Sequence, residues 1–251
     1  MRVRTVLVAT IVAGVVLGGC GTATPSGGGA GSTVNTSSTS NGIESMSAQQ
    51  IVAATKSAAL AQKSVHVAGK VLESGVTMTS LDLSLVKGVG GYGTVAMGKL
   101  SFQIVTTQTE TYFKADKSFW ETSGGAGAAA MVGDRWVKMP VGQKDFADFA
   151  SMTDFTKMIG DWLKPSGTIT KGATQTIAGQ PALGLVDTDG STLWVATTGE
   201  PLPVLISSPA SASASPQGSS GGFAFSDWNK VADPVAPPTA ETLDLSKLEL
   251  G

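Results

Sequence analysis

Ser80-Leu81-Asp82-Leu83-Ser84-Leu85 alternates polar and apolar residues with a period of two. As a helix this stretch would scatter its leucines around the axis; as an extended strand it sends all three to one side. Upstream, Val65, Val67 and Val71 alternate with His66, Ala68 and Lys70. Downstream, Gly90-Gly91 punctuates the chain, Val95 and Met97 follow, and Phe102 with Ile104 marks another strand before 112–115 closes the run. Short alternating segments separated by turn residues predict an antiparallel meander. The strand–helix alternation of a parallel α/β sheet is missing.

Outward from this meander the pattern changes. On the N-terminal side Ser47 and Gln50 form a capping-box pair, and Ile51, Ala54, Ala58 and Ala61 recur at helical spacing, which predicts a helix to about Gln62. On the C-terminal side 124–131 is a glycine/alanine stretch with no assignable structure. Asp134-Arg135-Trp136-Val137-Lys138 reads as a short strand or loop ending at Pro140. Phe146, Phe149, Met152, Phe155, Ile159 and Trp162 then recur at steps of three and four, one aromatic face of a helix or helix pair between about 144 and 163. Asp145, Asp148, Asp154 and Asp161 lie off that face, and Pro165 ends the element.

A second β section follows at 168–170, 174–177, 182–187, 192–196 and 202–206, with Asp189-Gly190 as a hairpin signal. The stretch 207–222 is Ser/Ala/Gly/Pro-rich and reads as a disordered insert in a hairpin that resumes at Phe223-Ala224-Phe225. Beyond it, 233–251 is expected to be an extended tail that docks weakly through 243–248. Helix, strands, helices and strands predict one α+β domain over 46–232, a single antiparallel sheet with its helices gathered on one side.

Composition excludes several functions. The chain has 251 residues, 17 Lys+Arg against 19 Asp+Glu, and 14% charged residues, too sparse and balanced for nucleic-acid binding. One Cys and one His build neither a zinc site nor a disulfide framework, so no cofactor or metal is expected. Hydrophobic residues, at 41%, suffice for a packed core.

Arg2 and Arg4 precede an uncharged apolar run at 5–17, too short to cross a hydrocarbon core of about 30 Å and suited to a signal peptide. It ends in Leu17-Gly18-Gly19-Cys20, which resembles the bacterial lipobox. In such precursors the cysteine takes a diacylglyceryl group and the chain is cut before it. The competing reading is an ordinary signal peptide with a chance cysteine. With 1–19 as the lipoprotein signal, Arg2 and Arg4 are lost, and the formal charge moves from −2 to −4. Residues 20–45 would form a lipidated Gly/Ser/Thr tether, too polar to offset the entropy of ordering. Localisation follows: the outer face of the cytoplasmic membrane, held by two acyl chains on Cys20.

Few residues offer chemistry. His66 stands in a strand without a nucleophile motif, and the acids fall in turns or on a polar helix face, so no catalytic residue is assigned. The glycine runs lack the setting of a phosphate loop. The aromatic face is either ordinary core or one wall of an apolar pocket. On the second reading Phe149, Met152, Phe155, Ile159 and Trp162 line it from the helix, with Leu83, Phe102, Ile104 and Trp194 opposite.

The lipobox, the tether, the helix beginning near Met46, Leu81-Asp82-Leu83-Ser84-Leu85, Asp134 to Pro140 and Phe225-Ser226-Asp227-Trp228 together resemble actinobacterial lipoproteins of the LppX/LprG type, related in fold to the lipoprotein carrier LolA. The resemblance spans about 1–232 and implies a curved half-barrel with helices across its concave face. It also implies an acylated lipid or glycolipid held between the two layers. Only Cys20 is carried over by motif, and the 207–222 insert departs from the pattern. The expectation is a monomeric, non-enzymatic carrier that meets the membrane through Cys20. The alternative is an envelope structural or protein-interaction lipoprotein with a closed core.

Overall fold

A computed structural model describes residues 39–73, 77–139, 150–209 and 221–247. The signal segment, Cys20 and the tether through 38 lie outside the described residues, as do Phe146, Phe149 and the centre of the insert.

Helix α1 (Ala48–Ala61) begins at the capping box read from sequence. The Gln50 amide donates to Ser47 Oγ at 3.3 Å, and the Ser47 amide donates to Gln50 Oε1 at 2.9 Å. The chain then enters β1 (Ser64–Glu73), β2 (Thr77–Val86), β3 (Gly90–Met97), β4 (Leu100–Thr106) and β5 (Thr111–Ala115). Helix α2 (Lys117–Val132) and β6 (Trp136–Met139) follow, and helix α3 (Phe155–Trp162) comes next. The second β section is β7 (Thr170–Ile177), β8 (Gln180–Val186), β9 (Thr192–Ala196), β10 (Pro203–Ser207), β11 (Gly222–Ser226) and β12 (Thr242–Asp244).

These strands make one open, curved sheet in the order β12-β6-β5-β4-β3-β2-β1-β11-β10-β9-β8-β7, antiparallel except where β12 pairs with β6. The first and second β sections therefore join through β1 and β11 into a single layer, the α+β half-barrel. Strand register explains its core, because directly paired residues share a face. One row runs Leu193, Ile206, Phe223, Gly69, Leu81, Val95, Phe102 and Ala115. The next runs Phe225, Val67, Leu83, Gly93, Ile104 and Phe113. Ala59 of α1 and Phe155, Met158 and Ile159 of α3 pack onto these rows as one buried cluster. A second cluster joins Ile43, Ala48 and Ile51 to Leu183, Leu185 and Val195.

Both rows contain a glycine. A Cβ on Gly69 would lie 2.0 Å from the Gly222 carbonyl oxygen, and one on Gly93 would lie 1.9 Å from that of Asp82. Backbones approach there more closely than any side chain allows.

Four segments differ from the sequence reading. Residues 40–45, read as the end of the tether, belong to the fold: Ser40 bridges Thr198, the Asn41 backbone N–H donates to the Thr197 carbonyl at 2.8 Å, and Ile43 is buried. The glycine/alanine stretch, unassigned from sequence, is the second half of α2, kinked at Gly125. Glycine costs about 1 kcal/mol in a helix, but Ala129 and Val132 are buried by it, and packing outweighs propensity. The two segments 168–170 and 174–177 are one strand with an irregularity between Lys171 and Thr174. In the C-terminal segment Leu243 pairs with Val137 as a strand, and Asp244 lies 3.6 Å from Lys138 Nζ, which also pairs with Glu110.

Two substitutions test this packing by chemical denaturation. Gly93→Ala is expected to cost on the order of 2–3 kcal/mol or more, as forced overpacking does. Thr55 is fully buried with its hydroxyl unpartnered. Thr55→Val removes that orphan at constant shape and is expected to raise stability by about 1 kcal/mol.

Candidate functional site

Helix α3 is short and carries its apolar residues on one side, so its position is set by what it buries. Asp154, a surface acid in the sequence reading, caps it by accepting from the Lys157 amide at 2.8 Å. Asp161 pairs with Lys157 at 2.9 Å on the exposed side, which holds its carboxyl below the usual range. Phe155 and Ile159 point at the sheet and are buried with Leu83, Phe102 and Ile104 in one cluster; Met152 and Trp162 pack half-buried at its edge. Seven of the nine sequence-selected pocket residues thus come together. Phe149 lies outside the described residues. Trp194 does not join them: it sits in a separate cluster with Ala182, Ala196 and Leu205, its Nε1 donating to Ser207 Oγ at 3.4 Å. The physical reason is parity, since Leu193 and Trp194 are adjacent in β9 and face opposite sides.

Beyond the last turn of α3 the helix layer ends and a cavity of about 210 Å³ opens. Val52, Trp162, Leu163, Ile169, Leu185, Leu193 and Ile206 form its apolar floor, while Lys164, Pro165, Ser166, Asp187, Asp189 and Ser191 form its rim. Trp162 is the selected residue that lines it. Leu185 and Leu193 were missed, although alternation in β8 and β9 signals their face; their neighbourhood with Val52 and Ile169 has no local signal. Two other hollows are larger, about 420 and 310 Å³, but they are lined chiefly by loop and polar residues such as Gln62, Lys63 and Asn229, or Thr106, Thr107 and Asp154.

The rim is a hydrogen-bonded acidic loop. Asp187 accepts from the backbone N–H of Ser166 at 2.7 Å and of Thr188 at 2.6 Å, and Asp189 accepts from that of Ser191 at 2.8 Å. The Ser166 hydroxyl lies 2.8 Å from Asp189 and 3.1 Å from Asp187 and serves one carboxylate at a time. Desolvation pushes the Asp187 carboxyl up, but the donors from Ser166 and Thr188 outweigh it and hold it below its ordinary value. Ser191, then Ser166, hold that of Asp189 down likewise. The mouth therefore stays anionic through neutral pH. Register places it at the end of the sheet where Met78 and Met97, both exposed, terminate β2 and β3.

His66 faces away from the cavity. Its Nε2 lies 2.9 Å from Asp82 Oδ1, its Nδ1 lies 3.1 Å from Ser226 Oγ, and Asp227 is 4.0 Å off. The three strands β1, β2 and β11 bring a serine, a histidine and an aspartate together on the outer, solvated surface. Among the described residues no group of three or more His, Cys, Asp or Glu could hold a metal ion, and no helix is long and apolar enough to cross a membrane.

No protein-family profile and no curated protein matches this sequence. Solved structures do. LprF from Mycobacterium bovis is 16% identical over 77% of this chain and 97% of its own, with a TM-score of 0.49. A putative outer membrane lipoprotein-sorting protein domain from Vibrio parahaemolyticus is 10% identical over 64% of this chain and 72% of its own, with a TM-score of 0.24.

The rim has a pH signature. Asp187 and Asp189 are depressed in the folded state, so their contribution is complete above the ordinary aspartate value of 3.8 and is lost as pH falls below it. Denaturation midpoints measured at pH 7, 4 and 3 are expected to fall most steeply below pH 4. Asp187→Asn should lower stability at pH 7 and flatten that acid limb.

Proposed function

We propose that this chain is a membrane-anchored extracytoplasmic lipoprotein that binds and carries a lipid or lipidated molecule, with no catalysis. The observation that carries the reading is the cavity at the end of α3, apolar inside, polar at the mouth and bounded by both layers of the fold. Ligand pockets have this construction. Cys20 is the proposed anchor, acylated and N-terminal after cleavage, with a tether that ends where Ser40 bridges Thr198 and Ile43 is buried. The exposed methionines at the same end of the sheet suit contact with acyl chains.

The size of the cavity sets the strength of binding. At about 30 Å³ per water-sized group, it holds roughly seven methylenes. At about 0.8 kcal/mol each these contribute 5–6 kcal/mol, a dissociation constant on the order of 10⁻⁴ M. That suffices for one short chain segment.

A second reading is an envelope lipoprotein with a closed core that binds a protein or serves structure. Its support is that Leu83, Phe102, Ile104, Phe155 and Ile159 are at most 2% exposed and fill the space between α3 and the sheet.

Two measurements separate the readings. The domain without its signal and Cys20, purified from the native host and extracted for mass spectrometry, is expected to release an acylated molecule. A clean extract together with no binding of any alkyl amphiphile would sink the carrier and leave the closed-core protein. Independently, Cys20→Ser is expected to move the full chain from the membrane fraction to the soluble one; retention in the membrane would refute the anchor.

A further inference from the structure

Trp162 stands at the inner limit of the cavity. It is the last residue of α3, half-buried, and its indole stacks on Phe223 with ring centroids 5.0 Å apart and planes at 27°. Its edge meets buried Phe225 at 6.0 Å. On the sheet side the cavity floor is Leu193 and Ile206, and the next residue in that row is Phe223. After Phe223 comes Gly69, which contributes no side chain, and then Leu81. A chain entering at the mouth therefore passes Leu193 and Ile206 and meets the Trp162–Phe223 pair, beyond which the next position of the row, Gly69, carries no side chain.

The pair is also built to part. The backbone of α3 is fixed near this point: Lys56 Nζ donates to the Gly160 carbonyl at 2.9 Å, and Leu163 is buried. The Trp162 ring, by contrast, has one side in the cavity and keeps partial solvent exposure, so a rotamer change frees it without moving the helix. A stacked aromatic pair biases such an equilibrium by no more than about tenfold, which entry of a few methylenes overcomes.

We infer that the Trp162–Phe223 stack is the stop that sets how long a chain the cavity accepts, and that its displacement lengthens the cavity at that end. This rests on the carrier reading and adds to it the residue pair that determines chain-length specificity.

The test is calorimetric titration of the domain with n-alkyl maltosides of 6 to 14 carbons, each below its critical micelle concentration. For the wild type, affinity is expected to rise about fourfold per methylene to roughly seven or eight carbons and then level off. Trp162→Ala should keep the short-chain affinities within a few-fold and carry the rise further, binding the 12-carbon probe at least tenfold more tightly than wild type. Phe223→Leu, which shortens the other half of the stack, should shift the plateau in the same direction, and Trp162→Phe by less. If Trp162→Ala fails to fold, the other two variants decide. A plateau at the same length in every folded variant, or a wild-type rise with no plateau, overturns the stop and leaves the carrier intact. No binding at any length overturns both.

Discussion

The structure depends on burying one face of a very wide sheet under very little helix. Strands β1 to β6 and β8 to β11 lay most of their large apolar residues on one side, Trp194 and Leu205 being exceptions, and α1 and α3, 14 and 8 residues long, supply much of the cover. A twelve-strand sheet left flat would outrun that cover. The sheet curves instead, and its backbones come closer than a Cβ permits at Gly69 and Gly93. The same curvature brings the distant β8 and β9 up against the N-terminus of α1, where Leu183, Leu185 and Val195 meet Ala48 and Ile51.

Cover that is just sufficient leaves a gap where it stops. Helix α3 ends at Trp162 because Pro165 forbids another turn and the loop behind it is tied down by Asp187 and Asp189. Past that point the sheet continues and α3 does not, so Leu193 and Ile206 border a cavity whose other edge is Leu185, packed against α1, and Val52 of that helix. The acidic loop at its mouth and the aromatic stack at its inner end then bound a cavity with two different ends, one charged and wet, one apolar and dry. This polarity, more than its volume, is what suits it to the amphiphile proposed above.

The outer surface shows the contrast. His66, Asp82 and Ser226 stand within hydrogen-bonding distance, yet they lie on strand positions facing solvent, where exposed polar residues of a one-sided sheet belong. Proximity of the right residue types follows there from register alone. The helix face is different in kind, because its residues converge from α1, α3, β8, β9 and β10 on one half-open cavity.

The sequence by itself determined the strands, their alternating faces, the capped helix α1 and the aromatic side of α3, because period and capping are local and are written in neighbours a few residues apart. What it misjudged was similarly local: a glycine-rich helix stabilised by remote burial, and Trp194 in place of its neighbour Leu193, where one step along a strand reverses the face. Only the tertiary structure decided that both β sections form one sheet, through β1 and β11, and where that sheet's inner face goes uncovered. A cavity is the difference between the space that several elements enclose and the side chains they bring to it. No single segment carries that difference, so none could announce it.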